Sequence, residues 1–406
     1  MTVSSSRLTF LQFLIIAGPP GFVLLLRTVI MALISRQRSF EDVATIDASA
    51  SVQIIMTVIA FLVAVYYFQK NPGFRNLVFH TPLLWFLLYT LWAAVTSLWS
   101  VNALMSSYRA FETLAWFMLI GAVITRLYER LEIFEIIRWI LYFALFTILF
   151  NTLNRARQFG FSLFSFDTLR MEQMWSTPFF FLALLLPVGI LAKTILLPIS
   201  IFSLSNTAYA GMAGGLFTLF TGKGTTRKIF ILGMIISLAA ISLVGIQKIL
   251  KDTIFYGKKG VGIEYTSGRD KITTQIINSA NEKPFTGYGF VAGETFIVTK
   301  VRHGAIGAHN GFLSAQLGTG IVGTVLFAIF MISMVFKAGS KYLPHEYRTA
   351  FLASAILITI HTVGNPGLGS RVYGTWIPAM TVFTLICMVQ QHYSYLYSDE
   401  DNLGDT

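Results

Sequence analysis

Apolar runs of about 17–25 residues recur along nearly the whole chain, and each is long enough to cross a hydrocarbon core of about 30 Å as a helix. In lipid every backbone N–H and C=O must find its partner within the protein, so such runs become helices. A transmembrane β-barrel would show short alternating strands, whereas these runs are continuous. The fold class this implies is an all-α polytopic membrane protein with about twelve transmembrane helices. The runs lie near 8–34, 52–68, 82–99, 109–125, 133–150, 178–192, 194–205, 208–221, 229–247, 311–336, 349–363 and 373–391, the three around 178–221 being short for full crossings.

Composition agrees. Only 12% of the 406 residues are charged and the mean hydropathy is +0.67, against about 25% charged in an average soluble protein. The lone cysteine, Cys387, excludes an intramolecular disulfide and a cysteine-based metal cluster. The first run lacks a small-residue cleavage site and reads as a retained helix. Gly18-Pro19-Pro20-Gly21 should kink that run. Pro187, Pro198 and the Gly214-Gly215 pair interrupt the three short runs between 178 and 221.

Short loops set the orientation. With the N-terminus cytoplasmic, inner loops collect Lys70, Arg75, Arg126, Arg130, Lys193, Lys223, Arg227, Lys228, Lys337, Lys341 and Arg348, in keeping with positive-inside bias. The chain then reads as one integral membrane domain, 1–406, with a large outer, periplasmic loop at 248–308. The outer loops are basic too, and the net charge is +11. That excess calls for an anionic partner, either lipid headgroups or a phosphate-bearing substrate.

The polar stretch from Glu264 to Gly323 is the place for chemistry. Within it Gly268 to Asn281 reads as a short amphipathic helix resting on the outer membrane surface, with Ile272, Ile276 and Ile277 on one face. Pro284 ends it and Gly287-Tyr288-Gly289 forms a turn. Arg269, beside Gly268 at a helix start, can present its planar fork to phosphate oxygens; an ordinary surface arginine is the alternative. His309 could take a proton from a sugar hydroxyl, or it anchors the next helix, with Asn310 near the cap. Arg109 closes W-S-V-N-A-L-M-S-S-Y-R (99–109) as either a functional or a snorkelling arginine. Arg27 and Arg138, inside apolar runs, are expensive unless they face protein or reach the interface. Trp85, Trp92 and Trp99 share one helix face, a pattern of packing. Gly318, Gly320 and Gly323 would let another backbone approach closely.

Together these residues resemble the O-antigen ligase/polymerase superfamily of bacterial surface-polysaccharide assembly. Three pieces fall in the expected order: W-S-V-N-A-L-M-S-S-Y-R; S-G-R (267–269) with its helix and then K-P-F-T-G-Y-G-F (283–290); and H-N-G-F-L-S-A-Q-L-G-T-G-I-V-G (309–323). The resemblance implies a metal-independent inner-membrane glycosyltransferase without a cofactor, its active site facing the periplasm. Its donor would be an undecaprenyl-pyrophosphate-linked glycan, and its acceptor a glycan or lipid A-core. The lipid bilayer is its medium, and no nucleic acid is expected. Arg269 and His309 would be catalytic, one on the pyrophosphate and the other on the acceptor hydroxyl. Arg109, Asn310, Tyr288, Arg302 and Asn206 complete the candidate substrate-binding set. Asn206, within S-L-S-N-T-A (203–208), is neutral where many relatives carry a basic residue. A polymerase is the first expectation and a ligase the second; a glycan transporter is the alternative of another class.

Overall fold

The computed structural model describes residues 9–34, 48–159, 176–201, 206–220, 269–301, 310–364, 367–372 and 375–403, and among them the regular structure is helical throughout. Helix α1 spans Phe10–Ile34 and breaks at Gly18, whose φ of 62° and ψ of −157° interrupt the ladder just before Pro19 and Pro20. Proline lacks the N–H and clashes with the preceding turn, so the expected kink follows from local chemistry. Helix α2 covers Ala48–Lys70.

A short helix, α3 (Pro72–Phe79), is capped by Asn71, whose side chain accepts from the Phe74 amide. Its axis is bent 80° from the following segment, Leu83–Trp99, which comprises α4 (Leu83–Val95) and a 3₁₀ turn, Thr96–Trp99. The apolar side of α3 buries Phe74, Leu77 and Val78. Gly121 makes room for this docking, because a Cβ there would lie 2.4 Å from the Phe74 ring. Gly121 lies on α5 (Ala103–Tyr128), the central helix, which packs against α1, α2, α4 and the last helix. Helix α6 follows at Ile133–Phe159.

The region of short runs is redrawn. A 3₁₀ turn at Thr177–Phe179 leads into α7 (Phe180–Leu185), and the chain breaks at Leu186–Gly189 before α8 (Ile190–Ile201). Pro187 therefore ends a helix, as expected, while Pro198 sits within α8 without ending it. Gly214 and Gly215 do not interrupt α9 (Asn206–Phe220) either. They are contact points: a Cβ on Gly214 would meet Ile360 at 2.3 Å, and one on Gly215 would meet Phe181 at 2.1 Å.

Helices α10 (Arg269–Glu282) and α11 (Ala292–Val301) precede α12 (Gly311–Ala338), α13 (His345–Gly364) and α14 (Trp376–Leu403). Among the described residues, five helices are by length and hydropathy able to cross a membrane (α1, α2, α5, α6 and α12), or six if the bent pair counts as one span. The expected run near 229–247 lies outside the described residues, as do 248–268 and 302–308 of the expected outer loop.

The expectation for α10 needs amending. Ile276 is fully buried and packs with Tyr288, Ile297, Val298 and Leu317, whereas Ile277 is 44% exposed. The apolar stripe of α10 is therefore turned in part onto α11 and α12 rather than onto lipid, because a protein surface was available to cover it. The tryptophans behave as packing residues: Trp92 and Trp99 lie 5.9 Å apart, and their indole N–H groups donate to the carbonyls of Thr319 and Thr286.

Candidate active site at one end of the bundle

A break in α12 organises the site. Gly320 has φ 66° and ψ −168°, so the helix ladder stops there for about one turn. The carbonyls of Leu317 and Gly318 then need new donors, because an unpaired buried backbone group is costly. The turn at 283–291 supplies them: the amides of Tyr288 and Gly289 donate to Leu317 O (2.8 Å) and Gly318 O (3.0 Å). In return the Ile321 amide donates to Pro284 O at 2.8 Å. Gly287 (φ 64°) and Gly289 (φ 100°) give the turn its shape. A Cβ on Gly320 would lie 2.1 Å from Phe285 O, so only glycine permits this approach.

The start of α5 closes over the same turn. Val101 N donates to Tyr288 O (3.0 Å), Phe290 N to Thr96 Oγ1 (3.1 Å), and Ser106 Oγ to Phe290 O (2.9 Å). Ser106 has one hydroxyl proton, so Ser100 Oγ, 2.7 Å away, is the donor of their mutual bond. The structure thus joins three stretches far apart in sequence: 99–109, 283–290 and 310–323.

Each candidate residue can now be placed. Arg109 lies on α5, its Nη1 2.7 Å from Glu112 Oε2 and its guanidinium 5.4 Å from the Tyr108 ring centre. Tyr288 donates its hydroxyl to Glu282 Oε2 at 2.6 Å, with Lys283 Nζ 4.7 Å from the ring centre. Burial, reinforced by the Glu282 carboxylate, pushes its phenol up to about 12. Asn310 caps α12: its Oδ1 accepts from the amides of Phe312 and Leu313, both at 3.0 Å. Asn206 and Arg269 are the first residues of α9 and α10, and only their backbones are described. Arg302 and His309 lie outside the described residues, His309 one position before the Asn310 cap.

A buried carboxylate escapes a reading of the sequence. Glu294, on α11, is 2% exposed and accepts hydroxyls from Ser314 (2.9 Å) and Ser370 (2.6 Å). It fastens α11 to the first turn of α12 and to the segment after the 3₁₀ turn Gly367–Gly369. That segment abuts the helix start, since a Cβ on Gly369 would lie 2.0 Å from Gly311 O, and Tyr89 OH donates to Gly369 O at 2.8 Å. The only signal was a carboxylate inside the apolar stretch V-A-G-E-T-F-I-V. Of the two arginines inside apolar runs, Arg27 faces protein: it is 8% exposed on α1 and its guanidinium stands 4.6 Å over the Trp116 ring. Arg138, by contrast, pairs with Glu135 one turn away on α6.

Residues 191–328 match the family model described as O-antigen ligase. The match runs from α8 into the middle of α12 and includes Asn206, Arg269, Tyr288, Arg302, His309 and Asn310; Arg109 precedes it. No curated protein matches the chain at a significant level.

Proposed function

Because the chain belongs to the O-antigen ligase/polymerase superfamily, we propose that it polymerises glycan repeat units carried on undecaprenyl pyrophosphate. The observation that carries this reading is the joining of 99–109, 283–290 and 310–323 around the Gly320 break. It puts the Asn310 cap, with His309 next to it in sequence, on the same framework as Tyr288 and Arg109.

In this reading an acceptor hydroxyl attacks the anomeric carbon of the donor glycan in line with the departing pyrophosphate. The new glycosidic C–O bond forms as the bond to pyrophosphate breaks, with inversion, and undecaprenyl pyrophosphate leaves. His309 receives the hydroxyl proton. Arg269 stabilises the charge that grows on the leaving group, where fixed donors act most strongly. The activated donor removes any need for a carboxylate pair of the glycosidase kind. Chemistry of this type belongs on the periplasmic face of an inner membrane, where the lipid-linked donor is presented.

The decisive assay uses purified full-length protein with a lipid-linked repeat unit in detergent. Growth of a polymer ladder is expected, with its loss in Arg269→Ala and His309→Ala. Full turnover by either variant would remove that residue from the mechanism. Transfer to lipid A-core with no ladder would favour the second reading, a ligase, which the description of the matching family supports. In cells, loss of a polymerase leaves core bearing a single repeat unit; loss of a ligase leaves bare core and polymer stranded on its carrier.

A further inference from the structure

Glu294 is a buried carboxylate that the mechanism above leaves without a task. Both of its oxygens are engaged: Oε1 accepts from Ser314 Oγ at 2.9 Å and Oε2 from Ser370 Oγ at 2.6 Å. All three residues are buried. Taking a carboxylate out of water is costly, and well-packed apolar side chains often hold elements together at least as firmly. What a carboxylate adds is direction, since it only accepts, and each oxygen here takes a hydroxyl from a different stretch of chain. Ser314 has one hydroxyl proton and two acceptors in reach, Glu294 Oε1 and Asn310 O at 2.8 Å. The Asn310 carbonyl already accepts the Ser314 amide at 2.9 Å, and a charged acceptor makes the stronger bond. The Ser314 hydroxyl proton therefore belongs to Glu294.

The hold falls on the part of α12 that precedes the Gly320 break. The far end of that part is fixed by the 283–291 turn, through the bonds to Leu317 O and Gly318 O. Its near end starts at the Asn310 cap, and His309 is the next residue back. Glu294 grips the near end one turn in, from α11 on one side and from Ser370 on the other. Gly369, next to Ser370, lies against Gly311 O and is itself held by Tyr89 OH at 2.8 Å. A segment fixed at both ends has a set position and a set tilt. Only the near end bears on His309.

We infer that Glu294 is a positioning residue. Through Ser314 it sets the direction of the chain at the Asn310 cap, and so the placement of His309 against the acceptor hydroxyl. The inference rests on the reading of His309 as the base. Glu294 acts through the helix start and touches no substrate. Ile276, Tyr288, Ile297, Val298 and Leu317 pack the same elements together independently of the carboxylate, so its loss should shift the cap without dismantling the fold. A displaced base loses rate rather than donor affinity.

The test uses the full chain in detergent and two readouts. The first is steady-state transfer from a lipid-linked repeat unit. Ser314→Ala cuts the link to α12 and leaves Glu294 its bond from Ser370; it should lower kcat about tenfold with donor KM within about twofold of native. Adding Glu294→Leu to it should lower kcat no further than Glu294→Leu alone, because both changes remove one link. Glu294→Gln keeps an oxygen for Ser314 and should recover most of the rate. The second readout does not need transfer: the rate at which diethyl pyrocarbonate modifies His309, followed by peptide mass. His345, exposed at the start of α13, is the internal reference. Ser314→Ala and Glu294→Leu should each change the His309 rate about threefold or more, as expected of a displaced side chain, and leave His345 unchanged. Ser314→Ala also keeps the test open if Glu294→Leu folds poorly. Transfer by the native protein with kcat and His309 reactivity both unchanged in Ser314→Ala overturns the positioning role and leaves the polymerase reading. A raised donor KM at unchanged kcat overturns it as well, by placing the pair in donor binding. His309 reactivity that responds as expected, in a protein that transfers no glycan, upholds the positioning and sinks the polymerase reading.

Discussion

Glu294 and Tyr288 carry little weight in a sequence and a great deal in the assembled site. Glu294 holds two serine hydroxyls from different parts of the chain. In Glu294→Leu, Ser314 still has Asn310 O at 2.8 Å to donate to, but Ser370 loses its carboxylate acceptor. Stability should fall by about 1–3 kcal/mol, the cost of stranding buried polar groups. Glu294→Gln, which keeps an acceptor oxygen, should fall less; thermal unfolding of both variants in detergent checks the order. Tyr288 gives a prediction with a sign. Its phenol is raised to about 12 in the folded protein, above an ordinary value of about 10. The folded state therefore holds the proton more tightly. Its contribution is complete below about pH 10 and is lost as pH rises through about 12. Tyr288→Phe removes the hydroxyl bond to Glu282 and with it this step. The difference between native and variant stability should shrink over that window, and a constant difference from pH 9 to 12 would contradict the assignment.

At the scale of elements, the Gly320 break decides where the 283–291 turn sits. Gly320→Ala forces a Cβ to within 2.1 Å of a backbone oxygen, at a φ of 66° that alanine resists. The turn must move or α12 must straighten, and either outcome costs more than the roughly 1 kcal/mol of a typical substitution. Melting temperature and transfer activity should both drop, while Gly339→Ala, where the nearest atom is 3.6 Å away, should leave both near native. Comparing these glycines shows what the sequence could reveal. The Gly18 kink was legible because its cause, Pro19 and Pro20, is adjacent. Gly318, Gly320 and Gly323 were legible as a site of close approach, but the backbone that approaches comes from some thirty residues away and leaves no local mark. Gly214 and Gly215 read as breaks because glycine is a poor helix former, whereas neighbours Ile360 and Phe181 reward their lack of a side chain. Arg27 could be recognised as costly, but not as a companion of Trp116, because that contact is made by the packing of α1 on α5.

At the scale of the molecule, the site and the basic loop after α12 lie at opposite ends of that helix. Gly311–Ala338 has 28 residues, and at about 1.5 Å per residue it is long enough to separate the two sides of a bilayer. The turn at one end exposes Phe285 (71%), and the connection to α13 exposes Tyr342 (38%) between Lys341 and the α13 start. Positive-inside bias predicts the lysine-bearing end in the cytoplasm and hence the turn outside. The native chain suits a labelling test, because its one cysteine, Cys387, is fully buried and gives little background. Phe285→Cys should react with a membrane-impermeant maleimide added to intact spheroplasts. Tyr342→Cys should react only once the membrane is opened. The opposite pattern would invert the molecule and place the candidate site on the cytoplasmic face. There Arg269 and His309 would meet nucleotide sugars instead of an externally presented lipid-linked glycan, and the polymerase reading would fall with the topology.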